Sequence, residues 1–131
     1  MVIDTSALVA ILQDEPERRV FNEAIESAET RSISTASFVE TSMIIESRYG
    51  PDGTRALELF ISKSQISFVS VDTDQAYLAR NAFRQYGKGR HPAGLNFGDC
   101  FSYALAKALD EPLLFKGDDF TRTDIVAYAI K

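Results

Sequence analysis

The sequence predicts an α/β protein built on a parallel sheet, and three stretches of the chain support that prediction. Residues 1–3 are apolar and pass through Asp4 directly into a helical run. Residues 66–71 combine β-branched and aromatic side chains, and a capping box that opens a helix follows them at once. Residues 112–115 form a short apolar run typical of a buried parallel strand. Strands that pass straight into helices form α/β sheets, whose ligands bind just beyond the carboxyl ends of the strands.

Composition indicates one domain, residues 1–131, with the 45% hydrophobic and 25% charged fractions of an ordinary globular protein. No apolar run approaches the roughly 20 residues that span a membrane, and no secretory signal is visible. The single cysteine, Cys100, excludes an intrachain disulfide and a multi-cysteine metal site. We therefore expect a cytoplasmic protein without a membrane partner. The net charge of −5 argues against a broad nucleic-acid-coating surface, but not against a nuclease that binds metal through carboxylates.

The first half of the chain alternates helices with one further strand. Pro16, preceded by two acids, suits the first turn of a second helix. Gly50 and Pro51 end the helix that begins near Thr35, and another amphipathic helix follows. The predicted elements are a helix over 7–12, a helix through 28, a strand over 31–34, and helices over 35–49 and 53–64.

The second half contains two strands that each lead to an acidic segment. The helix after residues 66–71 is expected to direct Ala79, Ala82 and Phe83 inward, and an irregular glycine-rich loop follows it. Asn96 caps the next helix, whose apolar positions repeat at helical spacing to Leu109. Residues 112–115 are the last buried strand, and residues 125–128 are a candidate for a final edge strand.

Single acidic residues stand at the starts or margins of these elements, and each has an ordinary structural explanation. Asp4 suits a helix cap, and Asp99 suits the first turn of a helix because of the helix dipole. Glu40 borders an apolar stripe that includes Met43 and Ile44, as surface glutamates often do. Taken one at a time, these positions do not distinguish a structural role from a catalytic one.

Their combined placement is more informative than any single position. If the strands are parallel, Asp4, Asp99 and the pair Asp118 and Asp119 converge at one edge of the sheet. Crowded carboxylates repel one another unless a cation neutralises them, and Mg²⁺ and Mn²⁺ prefer such oxygen ligands. A pocket of this kind can generate hydroxide for in-line attack on phosphorus. No cysteine–histidine dyad, serine triad or phosphate-binding glycine motif competes for the role, and the only histidine, His91, is assigned none.

The one basic concentration in this acidic chain lies between the fourth predicted helix and the loop that follows it. An acidic pocket repels phosphates until metal is bound, so a nuclease of this charge requires a local positive surface. The residues expected to contact nucleic-acid phosphates are Arg80, Arg84, Lys88 and Arg90. The competing interpretation is a solvent-facing or partner-docking surface.

The ordered set of motifs resembles the PIN-domain ribonucleases and, more narrowly, the VapC toxins of bacterial toxin–antitoxin pairs. The resemblance covers nearly the whole chain. It rests on the opening residues 2–6, on Glu40, on Asn96 to Asp99, and on the stretch from Gly117 to Asp124. It implies a three-layer α/β/α sandwich around a central parallel sheet and Mg²⁺- or Mn²⁺-dependent cleavage of RNA. It also implies a VapB-type antitoxin as partner and a homodimer.

The resemblance also assigns roles to residues of this chain. The family's four acids, which are its catalytic and metal-binding residues, correspond to Asp4, Glu40, Asp99 and Asp119. The fourth is chosen over Asp118 because it precedes Phe120. In supporting roles, the small polar residue that orients the first acid corresponds to Thr5 or Ser6, and Asp118 and Asp124 are added to the pocket.

Three other protein classes were considered. A receiver-type signalling domain requires an acidic pair after the first strand and an acid after a central strand, and this chain fits that pattern poorly. A phosphatase with an Asp-x-Asp motif is excluded, because Ser6 occupies the second acidic position. A non-catalytic PIN-like module that binds RNA or a partner is the alternative that the acid set opposes but does not exclude.

Overall fold

The structure is a computed structural model and describes residues 1–130. Within that range a four-stranded sheet is combined with five α-helices and a short 3₁₀ helix. In chain order the elements are β1 (Val2–Ile3), α1 (Thr5–Leu12), α2 (Arg18–Ser27), β2 (Ser32–Ser34), α3 (Thr35–Lys63), β3 (Ser67–Val69), α4 (Thr73–Tyr86), α5 (Phe97–Leu109), β4 (Leu113–Leu114) and the 3₁₀ helix (Asp119–Arg122).

All four strands are parallel, in the order β3-β2-β1-β4. The chain builds the sheet outward from β1 to β3 and then returns to add β4 on the other side of β1. The backbone N–H of Asp4 donates to the Leu114 carbonyl oxygen at 3.0 Å, so the ends of β1 and β4 lie side by side. Ligand sites of open parallel sheets lie beyond the carboxyl ends of the strands at such a reversal of strand order.

The sheet is covered by helices on both faces, which confirms the expected three-layer α/β/α sandwich. Successive side chains of a strand point to opposite faces. Ile3 and Leu114 accordingly pack into one hydrophobic core with α1, α2 and the second half of α3. Val2 and Leu113 pack into a second core with α4 and α5.

The predicted break at Gly50 is confirmed. Helix α3 runs from Thr35 to Lys63, but Gly50 has a φ of 65° and a ψ of −153°, outside the helical region. A side chain strongly disfavours this conformation, and Pro51 then restarts the helix where its missing N–H costs nothing.

Two expectations about packing were wrong. Residues 125–128 do not form a strand, because β4 offers only two residues for pairing, and the contact reduces to a bridge between Leu113 and Ala127. Phe83 does not point inward. It is 41% exposed, because α4 contacts the core through the small side chains of Ala79 and Ala82. Within residues 1–130, no helix is long and apolar enough to cross a membrane.

Candidate active site

Asp4 lies at the carboxyl end of β1 and caps α1, with only 3% of its surface exposed. Its Oδ2 accepts hydrogen bonds from the backbone N–H of Ser6 at 3.0 Å and from the Ser6 hydroxyl at 2.6 Å. Its Oδ1 accepts a hydrogen bond from the hydroxyl of Ser102, a residue of α5. The carboxylate is therefore fixed by the strand end, by the first turn of α1 and by a helix of the opposite layer.

Ser6 also connects Asp4 to the loop that follows β4. The backbone N–H of Lys116 donates to the Ser6 hydroxyl oxygen at 2.9 Å. The Lys116 ammonium in turn pairs with Glu15 and, at 3.4 Å, with Glu17, both in the segment before α2. A chain of polar contacts thus connects the segment before α2, through Lys116 and Ser6, to Asp4.

Thr5 is buried and lies beside the second acid. Its hydroxyl donates to the Ser37 carbonyl oxygen at 3.2 Å, and hydrogen bonding by the same side chain lowers the pKa of Glu40. Its Oγ1 also lies 3.1 Å from Oγ1 of Thr41. Of the two small polar residues considered for orienting the first acid, Ser6 contacts Asp4, whereas Thr5 acts on Glu40.

The carboxylate of Glu40 lies directly against the first turn of α5. A Cβ atom added to Gly98 would stand 2.1 Å from Glu40 Oε2, so only glycine leaves room for the carboxylate here. Burial raises the pKa of Glu40, and the negative charge of Asp4 raises it further, while the Thr5 hydroxyl opposes the shift. Glu40 is therefore close to Asp4, and its carboxylate packs against α5, the helix that carries Asp99.

Asp99 belongs to the capping box that opens α5. Its N–H donates to Asn96 Oδ1 at 2.8 Å, and its Oδ2 accepts from the Asn96 N–H at 3.1 Å. Burial, followed by the charges of Asp4, Asp119 and Glu40, raises the pKa of Asp99 to about 7, although the Asn96 backbone bond opposes the shift. All four predicted acids therefore share one electrostatic environment.

The remaining acids of the predicted set are placed differently. Asp119 opens the 3₁₀ helix after β4 and is exposed. Its charge contributes to the raised pKa of Asp99, and no such contribution comes from Asp118. Asp124 accepts from the Tyr103 hydroxyl at 2.7 Å and pairs with Lys107 at 2.7 Å. These two partners outweigh burial and lower the pKa of Asp124. Both of its oxygens are engaged, so its participation in the pocket stays a prediction.

Sequence reasoning missed two residues that shape the site, Gly98 and Ser102. A signal for each was present: Gly98 is a poor helix former in the first turn of α5, and Ser102 is a polar residue within an apolar repeat. Neither signal predicts the contact itself, because Glu40, which lies against Gly98, and Asp4, which contacts Ser102, are distant in sequence.

The four basic residues that are expected to contact RNA lie on the surface of the layer that contains α4 and α5. Arg80, Arg84, Lys88 and Arg90 are exposed, and none of them forms an ion pair within residues 1–130. Arg80 lies over the Tyr77 ring at 4.9 Å, and Arg90 lies over the Phe83 ring at 5.2 Å. These four cations, the basic strip, are therefore free to meet phosphates.

Comparison with known sequences gives one family and several near relatives. The model of the family described as "PIN domain" matches residues 1–126. A protein of Mycolicibacterium smegmatis named "Ribonuclease VapC" is 57% identical over 127 residues, which cover 97% of this chain and 98% of the relative. "Ribonuclease VapC30" of Mycobacterium tuberculosis is 55% identical over 130 residues, which cover 99% of each chain.

Solved structures share the fold at much lower identity. The chain is similar to VapC20 of Mycobacterium tuberculosis, described as a toxin that cleaves the sarcin–ricin loop. The TM-score is 0.79 at 16% identity, over 99% of this chain and 98% of that one. It is also similar to VapBC2 of Rickettsia felis bound to a promoter DNA fragment, with a TM-score of 0.73 at 16% identity over 96% and 94% of the chains.

Proposed function

This chain belongs to the PIN-domain family, and from that membership we propose that it is a metal-dependent endoribonuclease, the toxin of a toxin–antitoxin pair. The observation that carries the proposal is the electrostatic crowding at Asp99, whose pKa is raised to about 7 by burial and by three other carboxylates. Carboxylates gathered at the ends of parallel strands destabilise one another without a cation. Relatives at 55–57% identity that are named ribonucleases support the same activity.

The donor set fits a hard divalent cation, Mg²⁺ or Mn²⁺, because every candidate ligand is an oxygen. In residues 1–130, no three acidic, histidine or cysteine side chains are already spaced to ligate one ion together. Mg²⁺ is usually bound by one or two carboxylates, with water and substrate phosphates completing its shell. We assign Asp4 and Asp99 as the principal ligands, with Asp119 and Glu40 as further ligands or hydrogen-bonding partners.

A bound cation would supply an activated water as nucleophile and would stabilise the negative charge that develops on the phosphoryl oxygens and on the leaving oxygen. The chain's own groups prepare that step. Asp4 presents a carboxylate already fixed by Ser6 and Ser102. The pKa of Asp99 is raised to about 7, and a bound cation would favour the ionised carboxylate. The raised pKa of Glu40 makes this carboxylate a better proton acceptor than an ordinary glutamate.

The RNA strand is proposed to reach the pocket across the basic strip. Helix α4, which carries Arg80 and Arg84, packs against α5, which carries Asp99. Exposed cations without ion-pair partners attract phosphates at little desolvation cost, and each contact releases counterions. The strip is therefore proposed to hold the backbone while the acids act on one phosphodiester.

The partners proposed are RNA, a VapB-type antitoxin and a second copy of the chain, and the location proposed is the cytoplasm, where the RNA is. A homodimer is supported by an apolar groove of about 430 Å³ between α4 and α5, where Phe97 leaves 79% of its surface exposed. A contiguous apolar groove that is open to solvent commonly marks an interface. Sedimentation of the parent and of Phe97→Asp tests this: the parent should be dimeric and the variant monomeric.

The activity itself is tested by incubating the purified chain with total cellular RNA in EDTA, Mg²⁺ or Mn²⁺. The parent should cut RNA only with metal, and Asp4→Asn and Asp99→Asn should not cut it. Asp74→Asn, which removes an exposed acid from the first turn of α4, is the matched control and should cut like the parent. Intact RNA under every condition, with RNA still bound, would favour the non-catalytic alternative.

A further inference from the structure

The two oxygens of Asp4 are held differently. Oδ2 has two protein donors, the N–H and the hydroxyl of Ser6, whereas Oδ1 has one, the hydroxyl of Ser102. An ionised carboxylate oxygen offers about two acceptor positions. Among residues 1–130, the acceptor position that no donor occupies therefore belongs to Oδ1, the same atom that Ser102 fixes.

Ser102 is itself oriented by a second buried serine. Its Oγ lies 3.1 Å from Ser37 Oγ, and both residues are at most 1% exposed. A hydroxyl has one proton, and a carboxylate oxygen only accepts, so the Ser102 proton goes to Asp4 and Ser37 must donate to Ser102. The direction of the chain is therefore fixed: Ser37 donates to Ser102, which donates to Asp4.

Burial of a polar residue does not by itself explain this arrangement. A helical serine or threonine satisfies its hydroxyl most simply on the carbonyl four residues earlier in its own helix. Four hydroxyls of this chain do so, at 2.7–2.8 Å: those of Ser27, Thr41, Ser42 and Ser47. Ser102 lies inside α5, yet its hydroxyl crosses to the end of β1 instead.

We propose that Ser102 is a positioning residue for metal binding: it fixes Oδ1 of Asp4 with one acceptor position left for the cation, and Ser37 sets the direction of the Ser102 hydroxyl. This inference rests on the proposed function, because it requires a divalent cation at Asp4. Groups that orient a metal ligand typically change metal affinity or activity 10–100-fold when they are removed. A carboxylate that lacks the Ser102 bond can rotate, and it then binds the cation less tightly.

The test measures Mn²⁺ dissociation constants by electron paramagnetic resonance for the parent, Ser102→Ala, Ser37→Ala and Ser42→Ala, with thermal unfolding of each. Ser42→Ala removes a helical hydroxyl that bonds within its own helix, so it is the matched control. We expect Ser102→Ala to bind Mn²⁺ about tenfold more weakly and Ser37→Ala a few-fold more weakly. Ser42→Ala should bind Mn²⁺ like the parent. RNA cleavage by Ser102→Ala should fall at low Mn²⁺ and recover as Mn²⁺ is raised, which a purely structural defect would not do.

Parent affinity in a folded Ser102→Ala would overturn the positioning role while leaving the proposed function intact. Equal losses in Ser102→Ala and Ser42→Ala would also overturn it, because the effect would then be general to helical hydroxyls. If Ser102→Ala does not fold, the Mn²⁺ affinity of Ser37→Ala is the deciding measurement. In that variant Ser102 still contacts Asp4, and only the bond that sets the direction of its hydroxyl is lost. A parent that binds no Mn²⁺ would contradict the proposed function itself, and the positioning role with it.

Discussion

Asp4 caps α1 and Asp99 lies in the first turn of α5, at the same edge of the sheet, but the two carboxylates have opposite surroundings. Asp4 receives three hydrogen bonds, from Ser6 and Ser102, and is 3% exposed. Asp99 receives one, from the Asn96 backbone, and instead faces three other negative charges. Asp4 is therefore held by hydrogen bonds, whereas Asp99 is surrounded by like charges that raise its pKa.

The difference indicates which acid stabilises the metal-free protein and which one does not. A carboxylate that accepts several buried donors contributes to stability, because its donors would otherwise be unsatisfied. A carboxylate whose pKa is raised by burial and like charges destabilises the folded state once it ionises. We therefore expect substitution of either acid to weaken metal binding. In the metal-free protein, we expect the two substitutions to change the free energy of unfolding in opposite directions.

The largest effect is expected on metal binding. Asp99→Asn and Asp4→Asn should each weaken Mn²⁺ binding by about 100-fold or more, because losing a ligand should cost at least as much as losing a group that orients one. Isothermal titration calorimetry measures the constants, with Asp74→Asn as the control. An unchanged affinity in either variant would remove that residue from the site.

Stability without metal should separate the two acids. Asp99 has a pKa of about 7 in the folded state against an ordinary value of 3.8, so the folded state keeps a proton that the unfolded state has released. The free energy of unfolding should therefore fall as pH rises from about 4 to about 7. Asp99→Asn should flatten this dependence and be more stable by about 2 kcal/mol at pH 8, a value reduced for solvent screening.

Asp4→Asn should do the reverse in the same denaturation series. Hydrogen bonds to a charged group contribute about 1.5–3 kcal/mol and neutral ones about 0.5–1.5, so this variant should lose about 1–3 kcal/mol. Its stability should depend on pH less steeply than that of the parent, because the charge of Asp4 is one cause of the raised pKa of Asp99. If both variants gain stability equally, repulsion dominates at Asp4 too, and the contrast between the two acids is wrong.

Gly98→Ala extends the comparison to Glu40, whose carboxylate would lie 2.1 Å from the new Cβ. Alanine favours helix by up to about 1 kcal/mol over glycine, so the fold should not be weakened by propensity. Displacement of Glu40 should lower RNA cleavage by about tenfold. The matched test uses Glu40→Ala as background: adding Gly98→Ala there should cause no further loss, since the displaced group is already gone.

The smallest effect is expected at the basic strip, which lies outside the acid cluster. Lys88→Ala combined with Arg90→Ala should weaken RNA binding and reduce its salt dependence by roughly 0.7 per lost contact, while Mn²⁺ affinity is unchanged. Arg19→Ala combined with Lys63→Ala removes two exposed cations from the other helical layer. This control should change neither RNA binding nor its salt dependence. Equal salt slopes for the two double variants would exclude the strip as the RNA path.

The sequence by itself determined the fold class and the acidic character of the site. Hydrophobic alternation and capping residues act over a few neighbouring positions, so they located β1, the helix after Ser34, the break at Gly50 and α5. Parallel strands bring their carboxyl ends to one edge, which was sufficient to expect Asp4, Asp99 and the acids after β4 to converge.

Only the tertiary structure decided how each acid is held. Ser102 contacts Asp4 across 98 residues of sequence, and Gly98 contacts Glu40 from a different helix. The same packing decided that the charge of Asp119 contributes to the raised pKa of Asp99. It also decided that Phe83 and Phe97 are exposed. The physical reason is that such contacts depend on how helices of different layers are rotated and displaced against the sheet. That arrangement is set by the whole core, and local propensity, which acts over a few residues, does not encode it.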